Sequence, residues 1–171
     1  LRACTTQGDP LAMAWYSIST ELLIRILRRL VLEILQAWLA DDSAAAGALE
    51  ALLKWYDHLV EEGVRFGYFV NGKKSWLIVK TQEAKVRAEA IFGDRVNITT
   101  DGQRHLGAAL GSKKFKDEYC QEMVDKWVTE LTALCSIART EPQAAYISFT
   151  KAFKSKFTYF QRTIPSFEQY L

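Results

Sequence analysis

Apolar residues return every three or four positions over long stretches of this chain, and the interruptions in that rhythm mark its elements. Leu22, Leu23, Ile26, Leu27, Leu30, Ile34 and Leu35 keep helical spacing. Asp9 followed by Pro10 is a good helix start, with a side-chain acceptor before a residue whose φ is already helical. No Gly, Pro or Asn intervenes before Asp41, so local pattern alone predicts one long helix from about Pro10. Asp41-Asp42-Ser43 breaks the run. Residues 48–62 then read as an amphipathic helix with Leu49, Leu52, Leu53, Tyr56 and Leu59 on one side, stopped at Gly63.

The next stretch changes period. Residues 66–70 and 76–79 predict two short strands around Asn71-Gly72, a pair that tolerates positive φ. Residues 82–92 predict a short helix, 96–99 a strand, Asp101-Gly102 a turn, and 105–110 a further strand punctuated by Gly107. Beyond that the chain reads as helical. Tyr119, Met123, Val124, Trp127, Val128, Leu131, Leu134, Cys135 and Ala138 form one stripe, and a second helix after Pro142 carries Tyr146, Phe149, Phe153 and Phe157. Trp127 and its neighbours on the stripe are expected in the core rather than as a stacking platform for bases. No repeat, low-complexity tract or Gly/Pro-rich linker divides the chain. The fold class is α+β: a small antiparallel sheet backed by helices, followed by a helical region.

Composition changes this picture little. The 171 residues suffice for a real core, 49% of them are apolar, and the net charge is only +2. A small net charge favours neither nucleic acid nor membrane, so charge distribution has to carry any such argument. The apolar stretch from Leu11 to Leu39 contains Glu21, Arg25, Arg28, Arg29 and Glu33, too many charges for a bilayer span. Cys4, Cys120 and Cys135 are scattered and unpaired in pattern, while His58 and His105 stand apart. No zinc site or disulfide framework is readable, and an intracellular, reducing location is expected.

Candidate chemistry begins at Asp41 and Asp42. Adjacent carboxylates on a tight hairpin can hold divalent cations through hard oxygens; placed at a helix start instead, they would merely cap the next helix. Their setting decides which reading to develop. Gln7-Gly8-Asp9-Pro10-Leu11, Leu39-Ala40-Asp41-Asp42, Asn71 with Lys74 and Ser75, and Leu106-Gly107 follow one another along the chain. In order and spacing they resemble successive palm motifs of reverse transcriptases, the RNA-directed DNA polymerases of eukaryotic retroelements.

That resemblance covers nearly the whole chain and implies a partial palm over residues 1–112 with a helical thumb or connection over 113–171. It implies a strand over residues 32–39, where local pattern predicts helix. Asp41 would be a metal ligand and Asp42 its neighbour at the same site, holding a pair of magnesium ions shared with a further aspartate that this family carries upstream of the Gln-Gly motif. With that aspartate and the fingers upstream of Leu1, the chain is expected to be a fragment that does not polymerise alone. Gln7 and Gly8 would shape the floor beneath a deoxynucleoside triphosphate and the RNA template. Lys74 would neutralise or protonate the pyrophosphate leaving group; the plainer alternative is a solvated turn lysine.

Leu106-Gly107 resembles the turn that grips the DNA primer, although Gly107 is equally suited to an ordinary bulge. On the thumb, Lys151, Lys154, Lys156 and Arg162 stand free of acidic neighbours in sequence and alternate with Phe153, Phe157, Tyr159 and Phe160. They are candidates for contacts to nucleic-acid phosphates, against the alternative of a solvated face over an aromatic core. One residue departs from the family: Leu39 stands where these polymerases usually carry an aromatic. The rival to an active polymerase fragment is therefore a catalytically dead remnant that binds nucleic acid or protein, and the rival to both is a helical interaction domain with Asp41 and Asp42 at a helix start.

Overall fold

The computed structural model of the protein describes residues 10–170. The chain forms two compact units, one from the segment ending at Ser75 together with Val86–Asn97, the other from Trp76–Lys85 and Ile98–Leu171. Helices and paired short strands occur in both, so the class is α+β, but the strands form three separate two-stranded sheets rather than one.

In the first unit helix α1 spans Ala12–Leu30, with Leu11 at its N-cap and no side-chain cap. Asp9, expected to cap it, lies outside the described residues. The helix ends well before the point that periodicity predicts. Val31 leaves helical geometry at φ −135°, its N–H still bonded to Leu27 O at 3.0 Å, and strands β1 (Leu35–Leu39) and β2 (Asp42–Ala46) follow as an antiparallel hairpin. The reason is burial. Turning the chain here puts Val31 and Ile34 into a core with Leu23, Leu27, Ala51, Trp55 and Leu59. The period then switches to two, with Gln36 and Trp38 half-buried and Leu35, Ala37 and Leu39 outward. Non-local packing outweighs local propensity at this point.

Helix α2 (Leu49–Gly63) supplies Ala51, Trp55 and Leu59 to that core and starts at Ala48, not at the aspartates. The expected strand at residues 66–70 is absent. Instead a 3-10 turn covers Val64–Phe66, Gly67 takes φ 73°, and the Tyr68 N–H bonds back to Gly63 O at 2.9 Å. The chain thus folds against the end of α2 and offers no free strand edge. Strand β3 (Trp76–Ile78) consequently pairs with β4 (Asn97–Thr99), and helix α3 (Gln82–Phe92) connects them as periodicity predicts.

In the second unit the single strand expected at residues 105–110 is a hairpin. Strands β5 (Gly102–His105) and β6 (Ala108–Gly111) pair antiparallel around Leu106-Gly107. Helix α4 (Lys113–Ala138) is capped by Ser112, whose hydroxyl accepts the Phe115 N–H at 3.2 Å. Pro142 opens α5 (Pro142–Ser148), a π-helical segment covers Phe149–Phe153, and α6 (Lys154–Thr163) completes the second helical run. Trp127 is 5% exposed, with Phe153, Phe157, Phe160 and Phe167 packed round it at ring separations of 4.9–6.0 Å. It is a core residue, as the stripe predicts.

Candidate functional site

The β1–β2 hairpin turns through two residues, since Leu39 pairs with Asp42 and leaves Ala40 and Asp41 between them. Ala40 takes φ 53°, the positive angle that tight hairpin turns demand and that glycine or asparagine usually supplies. Asp41 therefore sits in the turn and Asp42 opens β2; both are exposed. The helix-capping alternative for this pair does not hold.

Beneath the turn is a tyrosine that sequence reasoning missed. The Tyr68 hydroxyl donates to Asp41 O at 3.0 Å and shares a 2.9 Å hydrogen bond with the Ser43 hydroxyl, so one phenol braces the turn and the start of β2. Burial pushes the Tyr68 phenol above its ordinary pKa, opposed by the Ser43 bond and assisted by the charges of Asp42 and Asp41. Burial also raises Tyr16, with Tyr68 and Asp41 adding to the shift. Both phenols therefore stay protonated at neutral pH. Tyr68 gave no signal in the sequence because it stands in what reads as a strand.

A polar network fixes the hairpin from below. Gln36 Oε1 accepts from the indole N–H groups of Trp38 at 3.0 Å and Trp55 at 3.3 Å, while its amide N–H donates to Ile24 O on α1 at 3.2 Å. One side chain thereby ties β1 to α1 and α2.

Asp41 and Asp42 are exposed carboxylates at adjacent positions, the hard oxygen ligands that magnesium takes, its remaining positions commonly going to water and substrate phosphate. No group of three or more His, Cys, Asp or Glu suited to a metal occurs among the described residues. Lys74 ends a 3-10 turn over Gly72–Lys74. The loop is braced by Asn97, whose side-chain amide donates to Lys73 O at 2.8 Å and Ser75 O at 3.2 Å. Gly72 is required there because a Cβ would strike the Arg95 carbonyl. Among the described residues no ion pair or hydrogen bond joins Lys74 to Asp41 or Asp42. Gln7 and Gly8 lie outside the described residues.

In the second unit the four basic candidates separate by face. Lys154, Thr158 and Arg162, at four-residue intervals, line a shallow groove with Tyr159. Lys156 points elsewhere and pairs with Glu130 at 2.8 Å. Lys151 lies in the π-helical segment and does not line the groove. Leu106 and Gly107 form the tip of the β5–β6 hairpin, with φ 51° and 83°. The bulge alternative for Gly107 does not hold, because residues 102–105 pair in unbroken register with 108–111.

No family model, curated protein or solved structure matches this chain.

Proposed function

We propose that this chain is the palm-and-thumb portion of an RNA-directed DNA polymerase of the retroelement type. The observation that carries the reading is the β1–β2 hairpin. A helical propensity that runs on to Asp41 is broken to build a two-residue turn, and the residues presented there are two adjacent carboxylates on a tyrosine-braced backbone. Ala40, held at φ 53° in that turn, is a backbone outlier of the kind that clusters at functional sites.

In this reading Asp41 and Asp42 hold magnesium, Gln7 and Gly8 floor the nucleotide and template site, and the Lys74 ammonium offers positive charge to the triphosphate. Bound magnesium would supply the charge neutralisation for in-line attack of a primer 3′ hydroxyl on the α-phosphate of a deoxynucleoside triphosphate. Tyr68 braces the backbone from which the two carboxylates project. The Leu106-Gly107 turn bears on the primer strand, and Lys154 and Arg162 contact phosphates of the RNA–DNA duplex without reading its sequence.

A titration with manganese tests the carboxylate assignment. Paramagnetic broadening of backbone amides should centre on residues 40–43 and disappear in the Asp41→Asn, Asp42→Asn double variant; broadening centred elsewhere contradicts it.

Leu39 favours a second reading, a nucleic-acid-binding module without polymerase activity. Its side chain is 57% exposed on the outer face of the hairpin, where an aliphatic group cannot supply the ring that the resemblance leads one to expect beside a primer end. Binding of RNA–DNA duplex without nucleotide addition is the outcome this reading predicts.

A further inference from the structure

The Leu106-Gly107 turn is held from two sides. Tyr119 on α4 donates its hydroxyl to Gly107 O at 2.9 Å, and Tyr159 on α6 donates to Leu106 O. Both carbonyls of the turn are thus claimed by phenols from different helices. A Cβ on Gly107 would lie 3.3 Å from the Tyr159 ring, so the ring packs directly against the turn. Both phenols are fixed in their turn by one residue: Phe160 stacks on Tyr119 at 5.9 Å and meets Tyr159 edge-on at 6.2 Å.

The surroundings of the clamp are cationic on the side of interest. Tyr159 shares its groove with Lys154 and Arg162. Burial raises the Tyr119 phenol, while Arg104 is near enough to oppose that shift and Tyr159, Cys120 and Glu122 to add to it. Tyr159 is therefore common to the phosphate-contacting groove and to the hairpin tip.

We propose that Tyr119 and Tyr159 are positioning residues that set the Leu106-Gly107 tip at a fixed height beside the Lys154–Arg162 groove, so that tip and groove engage one RNA–DNA duplex backbone together. The inference rests on the reading of tip and groove as nucleic-acid contacts given above. It assigns the tyrosines a role in duplex affinity through geometry, not through charge.

The test uses the chain as described and a short RNA–DNA hybrid duplex, with Tyr119→Phe, Tyr159→Phe, the double variant and Lys154→Ala. Phenylalanine keeps the ring packing, and a thermal melt of each variant verifies the fold. Amide exchange at residues 106–108 should accelerate in the tyrosine variants. Affinity should fall about five- to tenfold in the double variant, as the loss of two ordinary hydrogen bonds allows, with the salt slope of binding unchanged. Lys154→Ala should instead reduce that slope by about one, with tip exchange unaltered.

Faster tip exchange with unaltered affinity would make the clamp purely structural and overturn the inference. So would unaltered exchange and affinity in the double variant while the duplex still shifts the amides of Leu106 and Gly107; in that case the nucleic-acid reading survives and only the tyrosine role is lost. A duplex that leaves residues 106–107 unshifted in the wild-type chain overturns both.

Discussion

At Ala40 the backbone takes φ 53° with a Cβ in place, a conformation that costs an L-residue about 1–2 kcal/mol. Glycine would remove that cost but forfeit about 0.5–1 kcal/mol of chain entropy. Ala40→Gly should therefore raise stability by up to about 1.5 kcal/mol, whereas Ala40→Val, β-branched at a positive φ, should lower it. Urea denaturation of the two variants against wild type measures the pair of opposite signs.

Tyr170 offers a residue-scale test in pH. Its hydroxyl donates to Asp117, and this bond, with burial and the Asp117 charge behind it, pushes the phenol from 10.0 up to about 12. The same carboxyl is held below its ordinary 3.8, first by Lys113 and then by Tyr170. A phenol raised in the fold contributes stability that is complete below pH 10 and is lost as pH rises through about 12; a depressed carboxyl contributes stability that is complete above 3.8 and is lost as pH falls below it. The melting-temperature advantage of wild type over Tyr170→Phe should thus be flat at neutral pH and shrink at both ends. An advantage that grows above pH 10 would contradict the bond.

Among the elements, those carried by local signals were legible in the sequence. The helices α2, α3 and α4 stand where periodicity puts them, but their buried faces are shifted: α2 buries Ala51 and Trp55 beside Leu59, and α4 buries Cys120 and Trp127 while Val128, Cys135 and Ala138 of the expected stripe are exposed. The β1–β2 hairpin was not legible that way. Leu30, Ile34 and Leu35 keep helical spacing, and only the resemblance of Leu39-Ala40-Asp41-Asp42 to a palm motif pointed to a strand. What breaks the helix is the burial of Val31 and Ile34 and the bonds of Gln36 to Ile24 O and Trp55, contacts distant in sequence. The strand expected at 66–70 failed for the same reason in reverse, since Tyr68 is drawn under the hairpin and back onto Gly63. Of the site, Asp41, Asp42 and the Leu106-Gly107 turn were legible as motifs, but Tyr68, Tyr119 and Tyr159 were not, because a hydroxyl that braces a turn leaves no pattern along the chain.

Gln36 is where the hairpin as an element is most easily undone. Gln36→Ala leaves the indole N–H groups of Trp38 and Trp55 without their acceptor, at about 1–3 kcal/mol for a buried donor left unpaired. Chemical denaturation followed by tryptophan fluorescence should show a lower midpoint, and Gln36→Glu, which retains the acceptor but not the donor to Ile24 O, should recover part of it. Equal losses in both variants would show that the acceptor contributes nothing.

For the molecule as a whole, each unit has its own core, one centred on Leu23, Leu27 and Trp55, the other on Trp127 and Phe167. No helix among the described residues is long and apolar enough to cross a membrane. With a net charge of only +2, the proposed attraction to nucleic acid would rest on local arrangement such as Lys154 and Arg162 on one groove. The carboxylate hairpin belongs to the first unit and the groove with its clamped turn to the second, so polymerase activity would require both. The most direct measurement is primer extension on an RNA template with magnesium, using the full reading frame that encodes this chain beside its Asp41→Ala variant. The account predicts template-directed nucleotide addition by the wild type and a loss of at least about a hundredfold in the variant, as removal of a group essential to charge stabilisation entails. Extension that survives Asp41→Ala, or none from a folded wild-type protein that still binds the duplex, would contradict it.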